Sequence, residues 1–231
     1  TPRHPSTRPW CPAATPPGLG QERLWLRGSK SKKIPKEWRE GGWCPIAANQ
    51  RWSLDFTSDA LANGRKFRTA NLKDDCTREC PAIEVDFSLP GERVVELLNR
   101  VARERGYPDI LVVDNGPELR GRALDAWADD NGVQLYFIDP GKPTQNAYIE
   151  SFNGRFRDEC LNQHWFTRIA DAREIIEDWR IDYNKERPHS SLKYQTPEEF
   201  AATRPFNKTQ WAQTLELSEG SAPAPIAHAA E

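Results

Sequence analysis

RWSLDFTSDALANGRKFRTANL, residues 51–72, contains two alternating segments arranged about an Asn-Gly pair. Arg51 to Thr57 alternates apolar and polar side chains, as a strand does when its two faces meet different surroundings. Asn63-Gly64 is a strong two-residue hairpin signal, because both central positions of such a turn need positive φ. Lys66 to Leu72 is then the returning strand, and Ala82 to Phe87 a third. Beyond this meander the period changes. Val94, Leu97, Leu98 and Val101 recur at helical spacing and predict a helix over Pro90 to Arg105, ended by Gly106 and Pro108. Ile110 to Val113, ILVV, is a short run without polar residues, as expected of a central strand buried on both faces. Gly121 to Asp130 is predicted helical and Val133 to Ile138 a strand. Thr144 to Cys160 is predicted helical with Thr144 as its N-cap, and Asp171 to Asn184 forms another helix. Three strands followed by β-α-β units make an α/β protein with a mixed five-stranded sheet and helices on both faces.

The flanks differ from this core, which is expected to span residues 49–204. Residues 1–48 are Pro-rich and irregular, with Pro2, Pro5, Pro9, Pro12, Pro16 and Pro17 opposing regular helix. Residues 205–231 turn polar, then Ala/Pro-rich, and are expected to be disordered. The net charge of −2 names no partner, but it is unevenly spread. Thr1 to Gly42 carries nine Lys and Arg against three Glu, a net +6, which leaves −8 for the remainder. A basic arm beside an acidic domain suits a protein that contacts phosphate with one and holds metal with the other. With 37% hydrophobic residues, nine Trp and nine Phe, the chain can build a core. No apolar run approaches the roughly 20 residues of a membrane span, and no signal pattern opens the chain, so a cytoplasmic protein is expected. Cys11, Cys44, Cys76, Cys80 and Cys160 show no paired metal-ligand spacing and are expected to be reduced thiols. Methionine is absent throughout, as expected if the chain starts inside a longer product or its terminal Met has been lost.

Three acidic residues occupy telling positions. Asp55 lies in the first strand, Asp114 directly follows ILVV, and Glu150 lies in the first turns of a later helix, with 35 residues between Asp114 and Glu150. Open sites form at the carboxyl ends of strands in α/β sheets. A helix across that end can bring a third carboxylate beside two from adjacent strands. Three such groups repel unless a hard cation neutralises them, and a few oxygen ligands fit magnesium or manganese. Spacing alone leaves other readings open. Asp114-Asn115-Gly116 also suits a plain turn, and Glu150 a solvated helix position.

The local wording narrows the choice. WSLDFTSD (52–59), DDCTRE (74–79), VVDNGPE (112–118), PGKPTQNAYIESFNGRFRDECLN (140–162) and YNKERPHSSLKYQTPEEF (183–200) occur in this order. Together they resemble the integrase-core transposases of bacterial insertion sequences, in particular the large third family, whose catalytic part comes from a second reading frame. The resemblance covers about 150 residues and implies a ribonuclease-H-like fold. It makes Asp55, Asp114 and Glu150 a metal-binding catalytic triad for two Mg2+ ions, with Mn2+ able to substitute. It implies cleavage at transposon ends, followed by attack of the freed 3′-hydroxyl on a second phosphodiester. The implied partners are transposon-end and target DNA, further copies of the chain assembled on that DNA, and an upstream reading-frame product. The implied location is the bacterial nucleoid. The family's basic residue seven positions after the glutamate falls on Arg157, which shares a helix face with Glu150.

Lys142, in the loop before the catalytic helix, is a candidate phosphate contact. Asn146, one turn before Glu150, is placed to orient a ligand or water. Arg187, in the YNKERPH stretch, is expected to belong to a structural clamp that also faces DNA. Asp74 and Asp75 are expected to be structural, and Asn115 and Gly116 to shape the exit from the strand. The chain departs from the family at its irregular N-terminus, at Leu119, where Phe is usual, and at Asp139, where a basic residue is usual. Two other readings therefore stand beside an active transposase: a DNA-binding remnant without catalysis, and a nuclease that only hydrolyses.

Overall fold

The computed structural model describes residues 45–116, 118–138 and 146–204. The predicted N-terminal arm up to residue 44, Thr144, Lys142, Asp139 and the C-terminal tail lie outside the described residues. Five strands run β1 (Arg51–Ala60), β2 (Lys66–Asp74), β3 (Ala82–Asp86), β4 (Ile110–Val113) and β5 (Gln134–Phe137). They form one sheet in the order β3-β2-β1-β4-β5. β1, β2 and β3 pair antiparallel, while β4 joins β1, and β5 joins β4, in parallel. Helices α1 (Gly91–Arg105) and α2 (Arg122–Asn131) connect the parallel strands, and α3 (Ala147–Glu159) and α4 (Ile169–Lys185) follow. A short α5 (Pro197–Ala202) closes the described chain behind a Thr196/Glu199 capping box.

The strand period of two divides the core into two layers. Trp52 and Leu54 of β1, with Ala70 and Leu72 of β2, pack against Val94, Leu97 and Leu98 of α1 and Leu124 and Trp127 of α2. Phe67 and Val85, on the other face, pack against Ile149, Phe152 and Phe156 of α3 and Ile176, Trp179 and Tyr183 of α4. ILVV is buried at all four positions, as a central strand requires. Leu119, standing where the resembled family usually has Phe, is fully buried in the first layer.

One connection differs from expectation. The β1–β2 connection is a five-residue loop, Leu61 to Arg65, in place of a two-residue turn. The Leu61 amide donates to the Arg65 carbonyl (2.9 Å) and the Gly64 amide to the Leu61 carbonyl (2.8 Å). Leu61 is buried in the second core layer, which lengthens β1 to Ala60 and leaves Gly64 alone at φ +80°. Helix α3 is described from Ala147, and Asn146 before it makes no side-chain capping bond; the Thr144 cap expected from the sequence lies outside the described residues.

The motif stretches outside the acidic trio hold the scaffold together. Asp74, fully buried, accepts hydrogen bonds from the amides of Asn49 (2.7 Å), Cys76 (2.9 Å) and Thr77 (3.1 Å). Asp75 accepts from Ser53 Oγ (2.7 Å) and lies 2.7 Å from Arg51 Nε. Asn184 Nδ2 donates to the Cys80 carbonyl and its Oδ1 accepts from the Cys80 amide, both at 2.9 Å. Tyr183 Oη donates to the Arg78 carbonyl (3.2 Å). The YN pair therefore clamps α4 to the loop between β2 and β3. Cys76, Cys80 and Cys160 are buried and form no disulfide with one another. Among the described residues, no helix is long and apolar enough to cross a membrane.

Candidate active site

Asp55 sits mid-strand in β1, on the face covered by α3. β1 and β4 run parallel with Leu54 opposite Val113, so Asp55 and Asp114 are the next positions on adjacent strands. Neighbouring strands lie about 4.8 Å apart, so the two residues are close enough for the Asp114 charge to act on Asp55. Glu150 projects from the first turn of α3 and is exposed. A stacked and edge-on aromatic cluster fixes that helix. The Phe152 ring lies 5.1 Å from that of Tyr183, and Phe156 lies 5.0 Å from Trp179.

The electrostatics tie the three acids to one region. Burial, first, and the nearby charges of Asp114 and Glu150 together raise the Asp55 carboxyl to about 6. Opposing them, the Phe56 amide donates to Asp55 Oδ1 (2.8 Å) and Asn153 Nδ2 to Asp55 Oδ2 (2.8 Å). Each oxygen thus keeps a free lone pair. Among the described residues, no three His, Cys, Asp or Glu side chains already stand at metal-coordinating spacing.

The exit of β4 is built around Asp114. The Gly116 amide donates to Asp114 Oδ1 (3.0 Å). A β-carbon on Gly116 would stand 3.0 Å from that oxygen and 3.2 Å from Glu118 Oε2, so a side chain there would make both carboxylates give way by a few tenths of an ångström. Asn115 Nδ2 donates to the Ile138 carbonyl (2.6 Å) and ties this loop to the end of β5. Glu118 pairs with Arg68 of β2.

The positions flanking Glu150 differ in their surroundings. Asn146 is 2% exposed and its Oδ1 has no hydrogen-bond partner, an orphaned acceptor one turn before Glu150. Arg157 is exposed and has no partner among the described residues, since its neighbour Glu159 pairs with Arg187 instead. Arg187 also lies 2.6 Å from Asp182, and its guanidinium sits 5.6 Å from the centre of the Trp179 ring.

Sequence reasoning missed the polar layer beneath α3. Asn71 Nδ2 donates to Asn153 Oδ1 (2.8 Å) and Thr57 Oγ1 (3.0 Å), and Asn153 passes the connection to Asp55. The signal was present: Asn is disfavoured within strands, and Asn71 faces Asp55 directly across the β1–β2 ladder. Asn153→Ala is expected to cost about 1–2 kcal/mol, because Asp55 Oδ2 loses its donor. Chemical denaturation of the two proteins measures this, and an unchanged midpoint would remove Asn153 from the site's support.

Gly154 meets nothing within 4 Å of a built β-carbon, so packing does not require it. Gly154→Ala should therefore stabilise the isolated chain by about 0.5–1 kcal/mol. If DNA approaches the helix here, DNA affinity should fall in the same variant; thermal melting and a binding titration read the two effects separately.

A parallel β1–β4–β5 half, an antiparallel β1–β2–β3 half and acids at the strand ends define an integrase core, and two family models agree. Both are described as Integrase core domain, and they match residues 46–143 and 131–197. The chain belongs to this family, on its insertion-sequence branch. It is 57% identical over 158 residues to the 31.7 kDa protein of insertion element IS407 from Burkholderia multivorans, covering 68% of this chain and 57% of that protein. It is 48% identical over 182 residues to the 39.2 kDa protein of insertion element IS476 from Xanthomonas euvesicatoria, covering 79% and 53%. The chain thus spans little more than half the length of these relatives. Among solved structures, the HTLV-2 integrase catalytic core domain in complex with magnesium superposes with a TM-score of 0.54 at 14% identity, over 68% of this chain and 98% of that one.

Proposed function

We propose that this chain is the catalytic core of a DNA transposase, a polynucleotidyl transferase that cleaves transposon-end phosphodiesters and joins the 3′-hydroxyl to DNA. What supports this reading is the placement of Asp55 and Asp114 at successive in-register positions of adjacent parallel strands, with the charge of Glu150 on α3 acting on Asp55. Such a group is costly for the fold, and its free oxygen lone pairs suit a hard cation.

These three residues would hold two Mg2+ ions, with Mn2+ able to substitute. When bound, the ions supply positive charge to an in-line phosphoryl displacement. The chain's own residues do the rest. Asn153 and the Phe56 amide hold the Asp55 oxygens in place, and Gly116 holds Asp114. Arg157, unpaired and two turns beyond Glu150 on the same helix edge, offers a guanidinium fork to a substrate phosphate. The orphaned Asn146 Oδ1 is available to orient a group beside Glu150. Lys142 would contact phosphate from the preceding loop. Arg187 would reach DNA only by giving up Glu159 or Asp182, so its contribution is chiefly to anchor α3 to α4. The partners are transposon-end and target DNA, held by several copies of the chain, with an upstream reading-frame product as a further candidate.

The test is cleavage and strand transfer on labelled DNA bearing the element's ends, with Mg2+. Joined products support the reading. Cleavage without joining would make the protein a hydrolytic nuclease, and DNA binding without either product would make it a remnant.

A further inference from the structure

Helix α3 has a second edge. Glu150 and Arg157 run along one side, while Ser151, Arg155 and Tyr148 lie roughly 100–160° round the axis from Glu150 at 3.6 residues per turn. Against that second edge is a cavity of about 260 Å³, whose lining includes Lys73, Arg78, Tyr148, Arg155, Tyr183 and His189.

The cavity gathers more cations than the one carboxylate acting on them, Asp75, can balance. Lys73 is 5% exposed, and its Nζ donates to the Tyr148 carbonyl (3.0 Å). The Arg78 guanidinium sits 3.8 Å from the centre of the Tyr148 ring, and its Nη1 is buried with no hydrogen-bond partner. His189 is 6% exposed, and its Nε2 likewise has none. Asp75, the carboxylate acting on Lys73 and Arg78, is engaged through Oδ2 by Arg51 and Ser53, while its Oδ1 is buried without a hydrogen-bond partner. Glu159 and Asp182 are taken by Arg187. Burial pushes the Lys73 amine down to about 8. Burial and four surrounding cations, Arg155, Lys73, Arg78 and Arg187, push the His189 ring to about 4. Arg78 moreover adopts φ +64°, a left-handed conformation unusual outside glycine, held by Tyr183 Oη and by its own amide on the Asp74 carbonyl (2.9 Å). Strain and unpaired buried donors at one residue mark a place built for a ligand.

We propose that this cavity is a phosphate-binding site, separate from the carboxylate site, that takes a backbone phosphodiester of DNA passing over α3. A planar guanidinium fork, a second arginine and a buried ammonium together satisfy the several oxygens of one phosphate. The oxyanion chemistry stands on the cavity alone; the identity of the polymer rests on the DNA-acting reading above.

The experiment uses the full chain in EDTA, so neither readout needs metal or catalysis. The variant is Arg78→Asn with Arg155→Gln, since Asn tolerates left-handed φ and Arg155 is exposed. First, the melting temperature is followed with inorganic phosphate against chloride at equal ionic strength. Wild type should gain a few degrees, and the variant should not. Second, duplex affinity is measured by fluorescence anisotropy across salt concentrations. The variant should bind on the order of tenfold more weakly, with a log–log salt slope shallower by about 1, as for one lost phosphate contact. A phosphate effect with an unchanged slope would assign the cavity to free phosphate and overturn the DNA occupant. No phosphate effect and no change of slope would overturn the site altogether. A wild type that gains stability from phosphate yet never joins DNA would leave this site standing while the transposase reading falls.

Discussion

Glu150→Gln should abolish strand cleavage and joining while leaving the fold intact. Glu150 is exposed and lies in the first turn of α3, so the substitution keeps size and helical position. What the fold loses is a favourable charge at a helix N-terminus, a few tenths of a kcal/mol, partly offset by relief of repulsion with Asp55. What the reaction loses is one of three carboxylates that would hold the metals. A fall of at least about a thousandfold in rate is expected, equivalent to about 4 kcal/mol of transition-state stabilisation. Product formation on labelled end DNA, set beside melting temperatures of the two proteins, measures both sides. Equal activity would remove Glu150 from the site.

Asp55→Asn should do the opposite to stability and the same to activity. In the unfolded chain the carboxyl ionises near 3.8, but burial and the Asp114 and Glu150 charges raise it to about 6 in the fold. The folded state therefore binds the proton more tightly. Stability falls as pH rises through the window from 3.8 to about 6, and the charged group costs stability above it. At neutral pH, without metal, replacing it by a neutral isostere should raise stability on the order of 2 kcal/mol. The Asn153 bond can persist, because the new amide oxygen still accepts. Divalent metal should reverse the order: Mg2+ should stabilise wild type and not Asp55→Asn, since only a cation-binding fold gains from added ion. Melting curves in EDTA and in Mg2+, at pH 5 and pH 7, check each limb. A wild type indifferent to Mg2+ would overturn the metal assignment.

The two variants separate the ways in which these acids matter. Glu150 is held by helix packing and can be neutralised without disturbing the core. Asp55 is partly buried between β1 and α3, so its charge is a burden the fold carries in the absence of a ligand. That burden, the orphaned Asn146 oxygen and the tight Gly116 loop are local rules broken at one place, as functional sites break them.

Much of this was legible from residue order alone. Alternation in RWSLDFT and KFRTANL, the apolar ILVV, and the 3.6-residue spacing of Val94, Leu97, Leu98 and Val101 each report one-dimensional periodicity, which burial imposes on the chain itself. The sheet, its connecting helices and the candidacy of Asp55, Asp114 and Glu150 followed from that pattern and from the motif words. What remained hidden depends on distance in space. Only the β1–β4 register sets Asp55 beside Asp114. Only packing of Leu61 shows that the hairpin needs five residues. Asn71 and Asn153, 82 residues apart in the chain, meet because α3 crosses β2, and Arg78 comes against the far edge of the same helix from a loop after that strand. Periodicity records which face of an element is buried. What that face touches, and how a neighbouring charge shifts a carboxyl or an amine, is decided only when the chain closes on itself.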